Sequence, residues 1–184
     1  MRRHLFVGLI ALLLVSVGAG VAAAGSQPSL AAHGPTAVSG TEATALFRIG
    51  GRTVRQVRYA DRETLTYSFV LSNDGRLPVT VTGLAPLEQK PTLFSYRAIS
   101  DAAGNGRFTI PAGERRTVYL TMRMTACERL SARAGSFATE ANVATRRAGM
   151  FDSVVHVEFP EEVHTGSPRE AYCPRATATS RSPG

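Results

Sequence analysis

Beyond its first 24 residues, the chain alternates apolar and polar positions with a period of two and nowhere sustains the 3.6-residue period of a helix. The clearest stretch runs from Leu65 to Gly83. Leu65, Tyr67, Phe69 and Leu71 share one face, Val79 and Val81 share a face further on, and the turn signal Asn73-Asp74-Gly75 lies between them. If the two segments form a hairpin, one buried face requires Phe69 opposite Val79 and Tyr67 opposite Val81. Asn73, Asp74 and Gly75 then make a three-residue loop with Gly75 in the left-handed position. A crossing between sheets at this point would cancel that register but keep both strands.

The same reading predicts strands over Ala43 to Ile49 and Thr53 to Tyr59, separated by Gly50-Gly51, and over Thr92 to Ile99. Thr117 to Met124 follows the turn Pro111-Ala112-Gly113 and sets Val118, Leu120, Met122 and Met124 on one face. Asn142 to Arg147 and Phe151 to Phe159 flank Ala148-Gly149-Met150 as a second hairpin. In its second strand Phe151, Ser153, Val155, Val157 and Phe159 alternate with Asp152, Val154, His156 and Glu158. Helix is expected to be scarce, at most a turn near Cys127 to Ala134. About seven or more short strands with turns between them predict an all-β fold, an antiparallel two-sheet sandwich, because a parallel sheet would need helices between its strands.

The run Leu71 to Val81, apolar-Ser-Asn-Asp-Gly followed by Pro-Val-Thr-Val, and the turn Phe108-x-Ile110-Pro111-Ala112-Gly113-Glu114 leading into a strand give the chain a family likeness. It resembles the immunoglobulin-like sandwich domains of bacterial exported proteins, over roughly Ala43 to Phe159. The resemblance implies a spacer, adhesion or accessory module of the cell envelope, and it carries no shared catalytic residues.

The N-terminus places this domain in a compartment. Arg2 and Arg3, an apolar run from Leu5 to about Val21 and then Ala22-Ala23-Ala24 follow the order of a signal peptide, with cleavage expected after Ala24. The run is nearly long enough to span a bilayer, so a retained leader would act as an anchor. Residues 25–42 are Ala, Gly, Ser, Pro and Thr with few large apolar side chains and read as a flexible linker. Residues 174–184 read as a disordered tail. The sandwich is thus expected over 43–173, enough chain for one core without a metal. The formal charge is +7, or +5 without Arg2 and Arg3. Arg52, Arg55 and Arg58 lie close in sequence, but alternation puts Arg55 on one strand face and the other two opposite, so no continuous basic stripe forms. An exported chain without interleaved exposed aromatics is not expected to bind nucleic acid, so the expected partner is an unknown protein or an anionic envelope polymer, with a membrane only if the leader stays.

Candidate chemistry is sparse. Met122 and Met124 share a strand face and could offer two thioethers to Cu(I), the basis of an alternative reading as a periplasmic or extracellular copper or small-ligand handling protein. They are in line with Val118 and Leu120, which is the pattern of core filling. His156 falls on the opposite, outer face of its strand, and His33 and His164 are expected in or near loops, so no metal or cofactor site is assigned. Ser153 lies within a strand and not on a sharp nucleophile turn. The adjacent acids Glu161 and Glu162 follow Pro160 and read as a solvated strand exit. No catalytic residue is assigned, and the protein is expected not to be an enzyme.

Cys127 and Cys173 are the only cysteines, and an exported chain is oxidised, so they are expected to form a disulfide. Closing a loop of this length contributes about 4 kcal/mol in a chain-entropy treatment. The bond should be structural: reduction lowers the melting temperature, and for a domain of about 130 residues a loss of even 2 kcal/mol shifts the midpoint by roughly 6 to 10 °C. Thiol counting on the unfolded, unreduced protein should find none; two free thiols would refute the bond.

Overall fold

Alternation in the longest apolar strand decides where the core lies. The computed structural model of the protein describes residues 27–41, 43–58, 62–88, 94–124 and 136–165. Leu65, Tyr67, Phe69 and Leu71 are fully buried in β4 (Thr64–Asn73), and they meet Met122, Leu120 and Val118 of β8 (Arg115–Met124) in antiparallel register. β4 is flanked on its other side by β1 (Leu30–Ser39), and β8 by β6 (Phe94–Asp101), giving a four-stranded sheet in the order β1-β4-β8-β6. The second sheet has six strands in the order β2-β3-β10-β9-β5-β7. These are β2 (Ala43–Ile49), β3 (Arg52–Arg58), β5 (Val79–Ala85), β7 (Phe108–Ile110), β9 (Ser136–Arg147) and β10 (Phe151–Thr165).

The two sheets face each other as a β-sandwich, and no helix occurs among the described residues. Phe159 of β10 joins them. Its ring lies 5.2 Å from that of Tyr67, 5.5 Å from Phe69 and 6.5 Å from Tyr96, in tilted contacts that favour ring edges against ring faces. Val57, Val79, Val81, Ile110, Val143, Val157 and Val163 complete the layer from the six-stranded side. Met122 and Met124 are buried in this same cluster.

Several expectations change. The hairpin joining β4 to β5 does not form: the two strands belong to different sheets, Phe69 pairs with Val118, and Val79 pairs with Ile110. The reason is that β4 is a central strand whose two edges are already taken by β1 and β8. The Asn73-Asp74-Gly75 signal instead turns the chain from one sheet to the other. Asn73 is fully buried and organises that corner: its Nδ2 donates to the carbonyls of Leu77 (2.8 Å), Ile110 (3.0 Å) and Pro111 (3.2 Å), and its Oδ1 accepts from the Gly75 amide. This last contact is the Asx turn that made the segment look like a hairpin loop.

Residues 30–39, read as part of a flexible linker, form β1. Leu30, Ala32 and Val38 pack against the core, which too few large side chains in this segment had signalled. The sandwich is also not wholly antiparallel, since β10 pairs in parallel with β3 through Glu162–Thr165 and Val54–Val57. The β9–β10 hairpin is present as expected, with Phe151 opposite Arg147. Gly50 and Gly51, both at positive φ, close the β2–β3 hairpin with the backbone twist of a two-residue primed turn. Cys127 and Cys173 lie outside the described residues, as does the segment near Cys127 expected to hold a turn.

Replacing Asn73 with Ala removes the donor to three carbonyls, one of them in a fully buried bond. The expected loss is about 2 to 4 kcal/mol, the cost of leaving buried acceptors unpaired. Urea unfolding should show a lower midpoint with an unchanged slope; an unchanged midpoint would contradict the role of Asn73 at the corner.

Candidate functional site

The ladder between β9 and β10 is interrupted midway along β10. Pro160 has no amide hydrogen for the ladder, and the register shifts there: Glu158 pairs with Glu140 and Val163 with Ala138, so Phe159 to Glu162 stand against Thr139 alone. Beyond this break β10 takes up β3. The gap is an open cleft of about 380 Å³ between β3, β9 and β10, lined among others by Arg52, Glu140, Glu158 and Glu162.

The sequence placed Glu161 and Glu162 at a solvated strand exit, and both parts of that expectation fail. β10 continues to Thr165, and Glu161 points inward and is buried. Arg55, on the inner face of β3, donates from Nε and Nη2 to the two oxygens of Glu161, and from Nη2 to Thr36 Oγ1 of β1 at 3.1 Å. This buried ion pair therefore links β3, β10 and the edge of the opposite sheet. Arg52 emerges on the other face, as alternation required, and meets Glu162 Oε1 at 2.6 Å. Close by, burial first and the Glu161 carboxylate second push the Tyr67 hydroxyl far above its ordinary value, while Arg55 partly offsets them. That hydroxyl is buried with no hydrogen-bond partner among the described residues.

The cleft holds carboxylates that repel. Glu140 and Glu158 oppose each other across an antiparallel pair, a destabilising arrangement. His156 approaches from the outer face: its Nε2 lies 3.1 Å from Glu140 Oε2, and its Nδ1 lies 3.2 Å from Asn142 Oδ1. Among the described residues no three His, Cys, Asp or Glu side chains converge as a bound metal ion requires. The other histidines were expected in or near loops, but both sit in strands. His33 in β1 is hydrogen-bonded to Ser72 Oγ, and His164 in β10 stacks on Phe137 of β9 with ring centroids 4.3 Å apart. Neither joins Met122 and Met124, whose sulfurs are enclosed in the core. Ser153 shares a hydrogen bond with Thr145 Oγ1 at 2.9 Å within the β9–β10 ladder.

A second feature adjoins the cleft and was not foreseen. Every residue of β2 is exposed, including Leu46 (56%), Phe47 (46%) and Ile49 (59%). The register explains it. Leu46 pairs with Arg55 and so projects on the inner side, while Phe47 pairs with Val54 and Ile49 with Arg52 on the outer side. The four-stranded sheet ends at β1, whose Thr36 reaches only Arg55 of β3, so β2 overhangs the sandwich. Phe137, 50% exposed, lies on the same outer face beside His164. A signal was present in the sequence: Ala-Leu-Phe-Arg-Ile has large apolar residues at consecutive positions, more than one buried face can absorb.

No protein-family model matches the chain, and no curated protein matches it in sequence. Among solved structures, it is similar to the cupredoxin domain of amoB from Nitrosocaldus yellowstonii at 12% identity and a TM-score of 0.28. The match covers 60% of this chain and 61% of that domain's chain. At this level it carries no argument about function.

Replacing Glu161 with Gln leaves the Arg55 guanidinium buried without a counter-charge, and loss of one partner of such a pair costs about 3 to 5 kcal/mol. Replacing both, Arg55→Met with Glu161→Leu, should cost less than the single change. Guanidinium denaturation of the three forms checks this; a double variant less stable than Glu161→Gln would contradict the account.

Proposed function

We propose that the protein is an exported, non-catalytic module of the immunoglobulin-like sandwich class, with a binding or structural role at the cell envelope or outside the cell. The observation that carries this reading is the apolar overhang of β2. The sandwich leaves Leu46, Phe47 and Ile49 in solvent on one strand, with Phe137 on the same sheet, while elsewhere in its strands Val154 is the other large apolar side chain more than half exposed among the described residues. Grouped apolar exposure of this kind is a mark of interaction surfaces, whereas single exposed apolar residues are ordinary.

The leader supports the compartment: its charged, apolar and small-residue order is that of an export signal, and Gly25 would open the mature protein. The surface chemistry supports the kind of contact. An apolar strand bordered by Arg48, Arg52 and Arg58 suits a protein partner, or a protein embedded in anionic envelope polymer, better than a small polar substrate.

The test is envelope retention in the cells that export the protein. The wild type should fractionate with envelope material. The double variant Phe47→Ser, Phe137→Ser should be released several-fold into the soluble fraction with its thermal midpoint little changed, because both side chains are exposed. Equal retention of a folded double variant would overturn this reading.

A further inference from the structure

We infer that β2 is the pairing edge of a symmetric dimer, in which the β2 strands of two copies run antiparallel and join the two six-stranded sheets into one. The inference rests on the reading of the β2 face as the binding surface and names its partner: a second copy of this chain.

The four sheet edges are treated differently. An open edge carries unpaired backbone donors and acceptors that invite another strand, and proteins blunt such edges with Pro, bulges or short length. β1 contains Pro35 and a register break between His33 and Ala37. β6 has a break between Tyr96 and Ala98, which leaves Arg97 unpaired in the ladder. β7 is three residues long. β2 has none of these devices: its seven residues pair with β3 in unbroken register from Ala43 to Ile49, without Pro. It is the long regular edge of the molecule among the described residues, and the one that displays apolar side chains on both faces.

Its sequence is also complementary to itself. The antiparallel register that uses the whole strand is centred on Leu46. On the outer face it sets Ala43 opposite Ile49 of the second copy and Ala45 opposite Phe47, a small residue against a large one at every step. On the inner face it sets Leu46 against Leu46 and Thr44 against Arg48. Cross-strand pairs of this kind are the unit of sheet stabilisation. Arg48 is the only charged residue of β2, and this register keeps it away from its counterpart: the two arginines are offset by four residues, roughly 13 Å of strand. That exceeds the screening length of about 8 Å at physiological salt, so the pairing carries no like-charge penalty. A contact that is the same patch on both copies closes at two and leaves no further edge of this type open.

Sedimentation equilibrium of the purified full chain, from low to high micromolar concentration, should give twice the protomer mass. Leu46 meets its own copy on the axis, so Leu46→Lys and Leu46→Glu each place like charges in direct opposition. Each should weaken the dimer about tenfold or more, and an equimolar mixture should restore association, since Lys then faces Glu. Both variants should stay folded, with the circular-dichroism spectrum of the wild type, because Leu46 is more than half exposed. A wild type that stays monomeric throughout overturns the inference, as does a mass that climbs past two copies or a mixture that associates no better than its components. None of those results bears on envelope retention, which the outer-face Phe47→Ser, Phe137→Ser variant decides separately.

Discussion

The contact between Arg55 and Glu161 fixes how β3 docks on β10 in the wide sheet, and it reaches the edge of the narrow one. Three strands meet there: β3 supplies the guanidinium, β10 the carboxylate, and β1 of the opposite sheet the Thr36 hydroxyl. The alignment of β3 on β10 rests on a four-residue parallel ladder, shorter than every antiparallel pairing among the described residues except the three-residue one of β5 with β7. A slip of one residue in that ladder would turn Arg55 to solvent and leave Glu161 buried without a counter-charge. The ion pair thus fixes register more than it adds net stability, since the cost of desolvating two charges offsets much of their attraction.

The position of β2 follows from that register. With Arg55 inward, Phe47 and Ile49 must face outward over Val54 and Arg52, and Leu46 must overhang the end of the four-stranded sheet. The same strand of chain that locks the sandwich internally therefore presents its apolar surface externally. Pro160 contributes from the other side: it interrupts the β9 ladder between Glu158 and Val163, just before β10 takes up β3 on its opposite edge, and it leaves the acidic cleft at the junction. Structure and surface have a common origin in a few residues between Arg52 and Arg58 and between Phe159 and Glu162.

Much of the fold was legible in the residues because alternation is a local property. The inward sets of β4, β8 and β10 and the opposed directions of Arg52 and Arg55 could all be read from the period of two. What could not be read depends on partners distant in sequence. Whether Asn73-Asp74-Gly75 made a hairpin or a corner depended on β1 and β8 occupying both edges of β4. Whether Glu161 was solvated depended on an arginine 106 residues earlier in the chain. β1 lacked the apolar density to declare itself, and the exposure of β2 became visible only once the unequal widths of the two sheets were known.

Native-state hydrogen exchange resolved by residue tests most directly the claim that the Arg55 clasp docks β3 into the core. The account predicts that the amides of Val54 to Val57 exchange through openings as costly as those of Phe69 and Val118, near the free energy of global unfolding. Exchange of these β3 amides at the rate of exposed loops, while β4 and β8 stay protected, would contradict it.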